Sequence, residues 1–172
     1  MPEPALFARR FSCRRFAADP VPEEVLTELL EAARWAPSAG NLQPWRFVVV
    51  HSATVRQQLA AAAFDQTFIA EAPVAVVVCA VPDESGRRYG VRGRTLYCLQ
   101  DTAAAIENLL LAAAALDFGT CWVGAFDEQA AARALDLDPA WRPVALVPIG
   151  RPAEQPRGRR RRPADEVVRV IQ

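Results

Sequence analysis

Apolar residues follow two kinds of pattern along the 172 positions. Leu26, Leu29, Leu30 and Ala33 repeat at the i, i+3, i+4, i+7 spacing of an amphipathic helix. Pro22 suits its first turn, and Glu23 and Glu24 sit where the helix dipole favours negative charge. Pro37 predicts its end, because the residue before a proline avoids helical backbone. Elsewhere apolar residues run unbroken, at 47–50, 74–81, about 120–124 and 144–149. Such runs predict strands covered on both faces, hence one sheet with helices above and below it. Residues 4–10 and 53–64 predict two further helices. Residues 37–44, PSAGNLQP, are nearly all turn-formers and exclude a regular element. Residues 82–93 are polar and contain Gly86, Gly90 and Gly93, which predicts a mobile surface loop.

The longest pattern, about 96–118, is apolar on nearly every side, and Gly119 is the expected left-handed cap. Asp101, Glu107 and Asn108 leave too short an uncharged stretch to span a bilayer. At about 1.5 Å per residue the helix is roughly 35 Å long. One protomer has little with which to cover such a cylinder, which points to a second copy of the chain. A central helix inside a monomer is the alternative. The tail carries Arg157 and residues 159–162, all arginine, followed by Val167, Val168, Val170 and Ile171. The apolar end predicts a short docking strand, unlike a free basic tail.

Composition narrows the chemistry. All twenty basic residues are arginine, against twenty acidic ones. The absence of lysine excludes Schiff-base chemistry, a phosphate-loop lysine and Ser–Lys nucleophiles. A single histidine, His51, leaves no room for a multi-histidine metal site, and no metal is expected. His51, at a strand end, reads as a surface residue. Cys13, Cys79, Cys98 and Cys121 lack any C-x-x-C spacing and read as reduced, buried, small hydrophobes. The opening MPEPALFARR lacks the apolar core of a secretion signal, so a cytoplasmic location is expected. Zero net charge and the lack of a recognition motif weigh against nucleic acid, and no membrane partner is expected. Trp35, Trp45 and Trp122 are expected in the core, while Tyr89 and Tyr97 lie near the polar loop. An enzyme of this composition would draw its reactivity from a cofactor.

Arginines near the start (Arg10, Arg14, Arg15) and the run near the end are forks suited to a phosphate, and Ser12 adds a hydroxyl. Ser38, Asn41 and Gln43 are the neutral donors and acceptors that read the edge of a flat heterocycle. Together they suggest a nucleotide or flavin. No G-x-G-x-x-G follows the first strand, which disfavours a Rossmann site. Surface arginines beside a polar turn remain the plainer alternative.

Five blocks, in order, extend the reading. They are Arg10 to Phe16 (RFSCRRF), residues 29–34 (LLEAAR), residues 37–45 (PSAGNLQPW), residues 101–113 (DTAAAIENLLLAA), and residues 119–127 (GTCWVGAFD) with VPIG at 147–150. In this arrangement the chain resembles the flavin-dependent nitroreductase family over essentially its whole length. The resemblance implies an α+β fold, a three-layer α/β/α sandwich around a central mixed, mainly antiparallel sheet. It also implies an intertwined homodimer with C-terminal strand exchange, made of single domains (1–172) whose arm, 155–172, reaches the partner subunit. The cofactor implied is FMN, with NADH or NADPH as electron donor and a small-molecule electron acceptor, such as a nitroaromatic or quinone. The flavin would carry the chemistry and no side chain is expected as a catalytic acid or base.

Carried over residue by residue, Arg10 and Ser12 match phosphate ligands and Arg14 the cation beside the flavin N1–C2 edge. Pro37, Ser38, Ala39, Asn41 and Gln43 match the loop that meets the flavin from the partner subunit. Gly124 and Ala125 match the backbone near N5 and O4. Arg161, with Arg159 as second candidate, matches the C-terminal phosphate ligand. Phe11 departs from the family pattern, and Phe68 stands where larger members place a second basic residue. Relatives of this fold also dehalogenate or cleave flavin, or the protein could bind flavin without turnover.

Overall fold

The structure, a computed structural model, describes residues 5–156, 158 and 160–172. A short helix α1 (Ala5–Arg9) leads into an extended segment and then α2 (Glu23–Arg34), with Pro22 at its N-cap. After a 3₁₀ turn (Ala39–Asn41) come β1 (Trp45–Val50), α3 (Ala53–Ala62), α4 (Phe68–Glu71) and β2 (Val74–Ala80). Next are α5 (Pro82–Arg92), a π turn (Gly93–Tyr97) and the long α6 (Cys98–Ala115). The chain continues through β3 (Gly119–Thr120), α7 (Glu128–Ala134), β4 (Arg142–Gly150) and α8 (Ala164–Val167).

The strands form one sheet in the order β1-β2-β4-β3, each pair antiparallel, and a parallel bridge from Ser12 to Thr120 makes it mixed. Every residue of β2 is buried, so its alternating side chains feed two cores. Val74, Val76 and Val78 join Leu29, Ile106 and Leu109 on the α2–α6 side. Ala75, Val77 and Cys79 join Leu59, Ile69 and Ala131 under α3, α4 and α7. This is the α/β/α sandwich that the unbroken apolar runs predict.

Three expectations need correction. Residues 82–93 form a helix, with Pro82 in its first turn and Asp83 and Glu84 at its positive end; only Gly90 is left-handed (φ 58°). The cap of α6 is Asp117, at φ 61°, not Gly119. The Phe118 N–H donates to the Ala113 carbonyl at 2.8 Å and the Asp117 N–H to Ala114 at 3.4 Å, closing the helix two residues earlier. Gly119 is needed for space instead, since a Cβ there would lie 2.8 Å from the Cys13 side chain. The strand expected at 120–124 is only Gly119–Thr120 plus a bridge from Val123 to Leu146. Val167 closes α8, and residues 168–172 run exposed beyond it. Among the described residues no strand of this protomer pairs with them.

Candidate flavin-binding site

The parallel bridge to β3 draws the segment after α1 across the sheet edge and fixes Ser12 and Cys13; the Cys13 N–H donates to the Thr120 carbonyl at 2.8 Å. The other extremity of the chain returns to the same place. The Ala17 N–H donates to Arg151 O at 2.9 Å, and Ala153 N–H to Arg15 O at 2.8 Å. Between them lies a cleft of about 440 Å³ lined by Phe11, Ser12, Arg14, Arg15, Glu154, Gln155 and Gly158. Its floor is neutral to cationic apart from Glu154, whose Oε1 accepts the Arg14 N–H at 2.6 Å.

The Arg14 guanidinium lies 5.7 Å from the centre of the Phe68 ring, an arrangement that holds a cation by the ring quadrupole. Two residues before Phe68, the Gln66 side chain donates to Ala125 O at 3.3 Å. Arg14, Phe68 and Ala125 therefore share one side of the molecule. A Cβ built on Gly124 meets nothing within 4 Å, so that backbone is open to a ligand.

The 37–43 loop is built elsewhere. Gly40, Asn41 and Gln43 all have left-handed backbone, with φ of 59°, 55° and 52°, conformations that must be held by their surroundings. The Gln43 N–H donates to Ser38 Oγ at 3.0 Å, and the Gln43 amide reaches Asn41 Oδ1 at 3.3 Å. From α6, Asp101 Oδ1 accepts the Ala39 N–H at 3.1 Å. Sequence reasoning missed this anchor, although an acidic residue in an apolar helix was a visible signal. Asp101 is 7% exposed, and its second oxygen is buried without a partner. Burial pushes its carboxyl upward from the usual carboxylate range, partly offset by the Ala39 bond.

The twelve expected ligands thus fall into groups. Ser12 and Arg14 line one cleft with the returning C-terminal segment, and Ala125 lies near Arg14 through Phe68 and Gln66. Ser38, Ala39, Asn41 and Gln43 form the separate loop that begins at Pro37 and rests on α6. Arg10 faces α6, with Nε 3.5 Å from Glu107 Oε1. Arg161 is exposed on the arm, and Arg159 lies outside the described residues. The donor set of the cleft, guanidinium and hydroxyl with open backbone nearby, fits a phosphate-bearing flavin.

Other side chains are placed as follows. Trp45 is buried, but Trp35 is 79% and Trp122 40% exposed, contrary to the core expected for both; the Trp35 indole donates to Glu31 at 3.0 Å on the outer face of α2. His51 is exposed, 3.6 Å from Glu23. The four cysteines are free and buried, and burial pushes Cys13 up to about 11 and Cys79 to about 12, far from a reactive thiolate. Among the described residues no cluster of His, Cys, Asp or Glu could hold a metal, and no helix is long and apolar enough to cross a membrane.

A sequence model of the Nitroreductase family matches residues 7–70 and 63–151. A Thermus thermophilus protein named NADH dehydrogenase is 34% identical, covering 93% of this chain and 91% of its own length. A 5,6-dimethylbenzimidazole synthase of Rhodospirillum rubrum is also 34% identical, over 88% and 82% of the two chains. Among solved structures, a nitroreductase family protein of Streptococcus pneumoniae superposes with a TM-score of 0.89 at 23% identity, covering 97% of this chain and 98% of that one. A nitroreductase family protein of Clostridium novyi gives 0.79 at 31% identity, over 90% and 87%.

Proposed function

The chain belongs to the nitroreductase family, and from that premise we propose that it is an FMN-dependent NAD(P)H oxidoreductase that reduces small acceptors such as nitroaromatics or quinones. It works as a homodimer of single domains, each lending its 155–172 arm to the partner. The observation that carries this reading is the meeting of the two chain extremities at one cleft, with Ser12 and Arg14 in its lining.

Bound FMN would supply the two-electron chemistry, taking hydride from the nicotinamide and yielding electrons to the acceptor in turn. The residues of the chain bind and polarise. Ser12 and the arm arginines would hold the phosphate. Arg14, braced against Phe68, would place a fixed positive charge beside the N1–C2 edge of the ring. Because Phe68 stands where another cation could, Arg14 carries that role alone on its side. The 37–43 loop, held by Asp101, presents its amides to the ring from the partner subunit.

The test is the absorbance spectrum of the purified protein followed by anaerobic titration with NADH and NADPH, then addition of a nitroaromatic. Flavin absorbance that bleaches with nicotinamide and returns with acceptor is expected. Protein that takes up no FMN and oxidises no nicotinamide would overturn the reading. A second reading is favoured by the relative named 5,6-dimethylbenzimidazole synthase: the same site cleaving flavin itself. Mass spectrometry of aerobic reactions for 5,6-dimethylbenzimidazole separates the two.

A further inference from the structure

Between α5 and the end of the 37–43 loop lies a second groove, open and about 690 Å³ in volume, lined by Gln43, Arg46, Glu84, Arg87 and Arg88. Its charges do not cancel. Arg46 is paired to Glu84 through two contacts, 2.5 and 3.4 Å. The neighbouring acid, Asp83, is taken by Arg94 at 2.7 Å. Among the described residues neither Arg87 nor Arg88 lies within ion-pair reach of a carboxylate. Two positive charges are left facing one concavity.

The wall that carries them is braced against the loop. Arg88 Nη1 donates to Gly40 O at 3.5 Å, and its guanidinium lies 5.5 Å from the Tyr89 ring centre. Tyr89 in turn meets Tyr97 edge to face at 5.2 Å. A Cβ on Gly40 would fall 2.6 Å from Tyr89 Oη and 2.8 Å from Arg88 Nη1, so helix and loop are in direct contact. Gln43 belongs to both the loop and the groove. A molecule stacked where the loop meets the flavin could extend directly onto Arg87 and Arg88.

We propose that this groove, which rests on the flavoenzyme reading for its neighbour, binds a dianionic phosphate monoester carried by the substrate, with Arg87 and Arg88 as its ligands. Two unneutralised guanidinium forks match two negative charges on tetrahedrally arranged oxygens, whereas a carboxylate needs only one fork. The monoester could belong to the nicotinamide donor, as the ribose phosphate that distinguishes NADPH from NADH, or to a phosphorylated acceptor.

The experiment compares wild type with Arg87→Glu and with Arg87→Ala in kcat/KM for NADPH and NADH, and for 4-nitrophenyl phosphate and 4-nitroanisole as acceptors. Calorimetry with 2′,5′-ADP and with 4-nitrophenyl phosphate gives binding without turnover. A fall of about tenfold in the NADPH-to-NADH ratio places the monoester on the donor. The same fall in the ratio of the two acceptors places it on the acceptor. Both ratios within about twofold of wild type, with turnover intact, overturn the groove proposal and leave the oxidoreductase reading standing. If no nicotinamide is oxidised, that reading fails by itself and binding decides. Weaker binding of either probe to Arg87→Glu upholds the groove, and unchanged or absent binding of both ends it.

Discussion

Asp101 ties a charge-bearing residue of the central helix to a loop 62 positions earlier in the chain. Replacing it with alanine leaves the Ala39 N–H without its partner, a loss of about 1–3 kcal/mol in unfolding free energy. Asp101→Asn keeps an acceptor for that N–H and removes the buried carboxylate. The two variants should therefore separate in urea unfolding at neutral pH, with Asn at or above wild type and Ala below Asn. The pH dependence follows from the raised carboxyl. The folded state holds this proton more tightly than the unfolded chain, so the stability it contributes is complete at acid pH. That stability is lost as pH rises from the ordinary carboxylate value through the raised one. Plotted as a difference between wild type and Asp101→Asn, thermal stability should fall across that window. A flat difference curve would mean that the oxygen without a partner is solvated after all.

At the scale of elements, α5 shows what glycine can hide. A Cβ on Gly86 would lie 2.6 Å from Arg94 Cγ, and one on Gly93 would strike the Ser85 backbone carbonyl. Those two glycines serve close packing between α5 and the π turn, and only Gly90 serves a backbone bend. Gly93→Ala must displace backbone and should cost about 1–3 kcal/mol. Gly86→Ala meets the middle of a flexible arginine and should cost less, so thermal melts should rank Gly93→Ala below Gly86→Ala. Equal melting temperatures would contradict this account of the packing. Pro82, Asp83 and Glu84 sit in the first turn of α5, and Asp127 caps α7, its Oδ1 accepting the N–H groups of Gln129 and Ala130. Elements whose burial repeats locally, such as α2, β2 and α6, could be read from spacing alone. The extent of β3 depends on its pairing with Ile149 and Gly150, and the anchoring of the loop on Asp101, contacts that no local pattern encodes. The candidate site residues were named through family resemblance, and their division into a cleft and a separate loop only through the fold.

That division is a property of the whole molecule, and it makes the assembly testable. In one protomer the cleft of Ser12 and Arg14 belongs to the β3 edge, while the 37–43 loop rests on α5 and α6. The protomer also exposes more apolar surface than a solitary fold has reason to keep, including Trp35 and, on the arm, Val168, Val170 and Ile171, the last 83% exposed. On α6, Ala103 and Leu111 remain half-covered. The proposed dimer would answer all three facts, with a second copy that covers α6, receives the arm and brings its loop to the cleft of the first. Removing residues 156–172 should then release flavin and shift the protein toward monomer in sedimentation equilibrium. The melting temperature of the intact protein should rise with its concentration, because dimerisation stabilises the folded state by mass action. Loss of salt-sensitive DNA binding as the sole effect of truncation would instead assign the arginine run to nucleic acid. A truncated protein that keeps both its flavin and its dimer would show that the cleft is complete without the arm, and the phosphate would then have to be held by Ser12 and the N-terminal arginines alone.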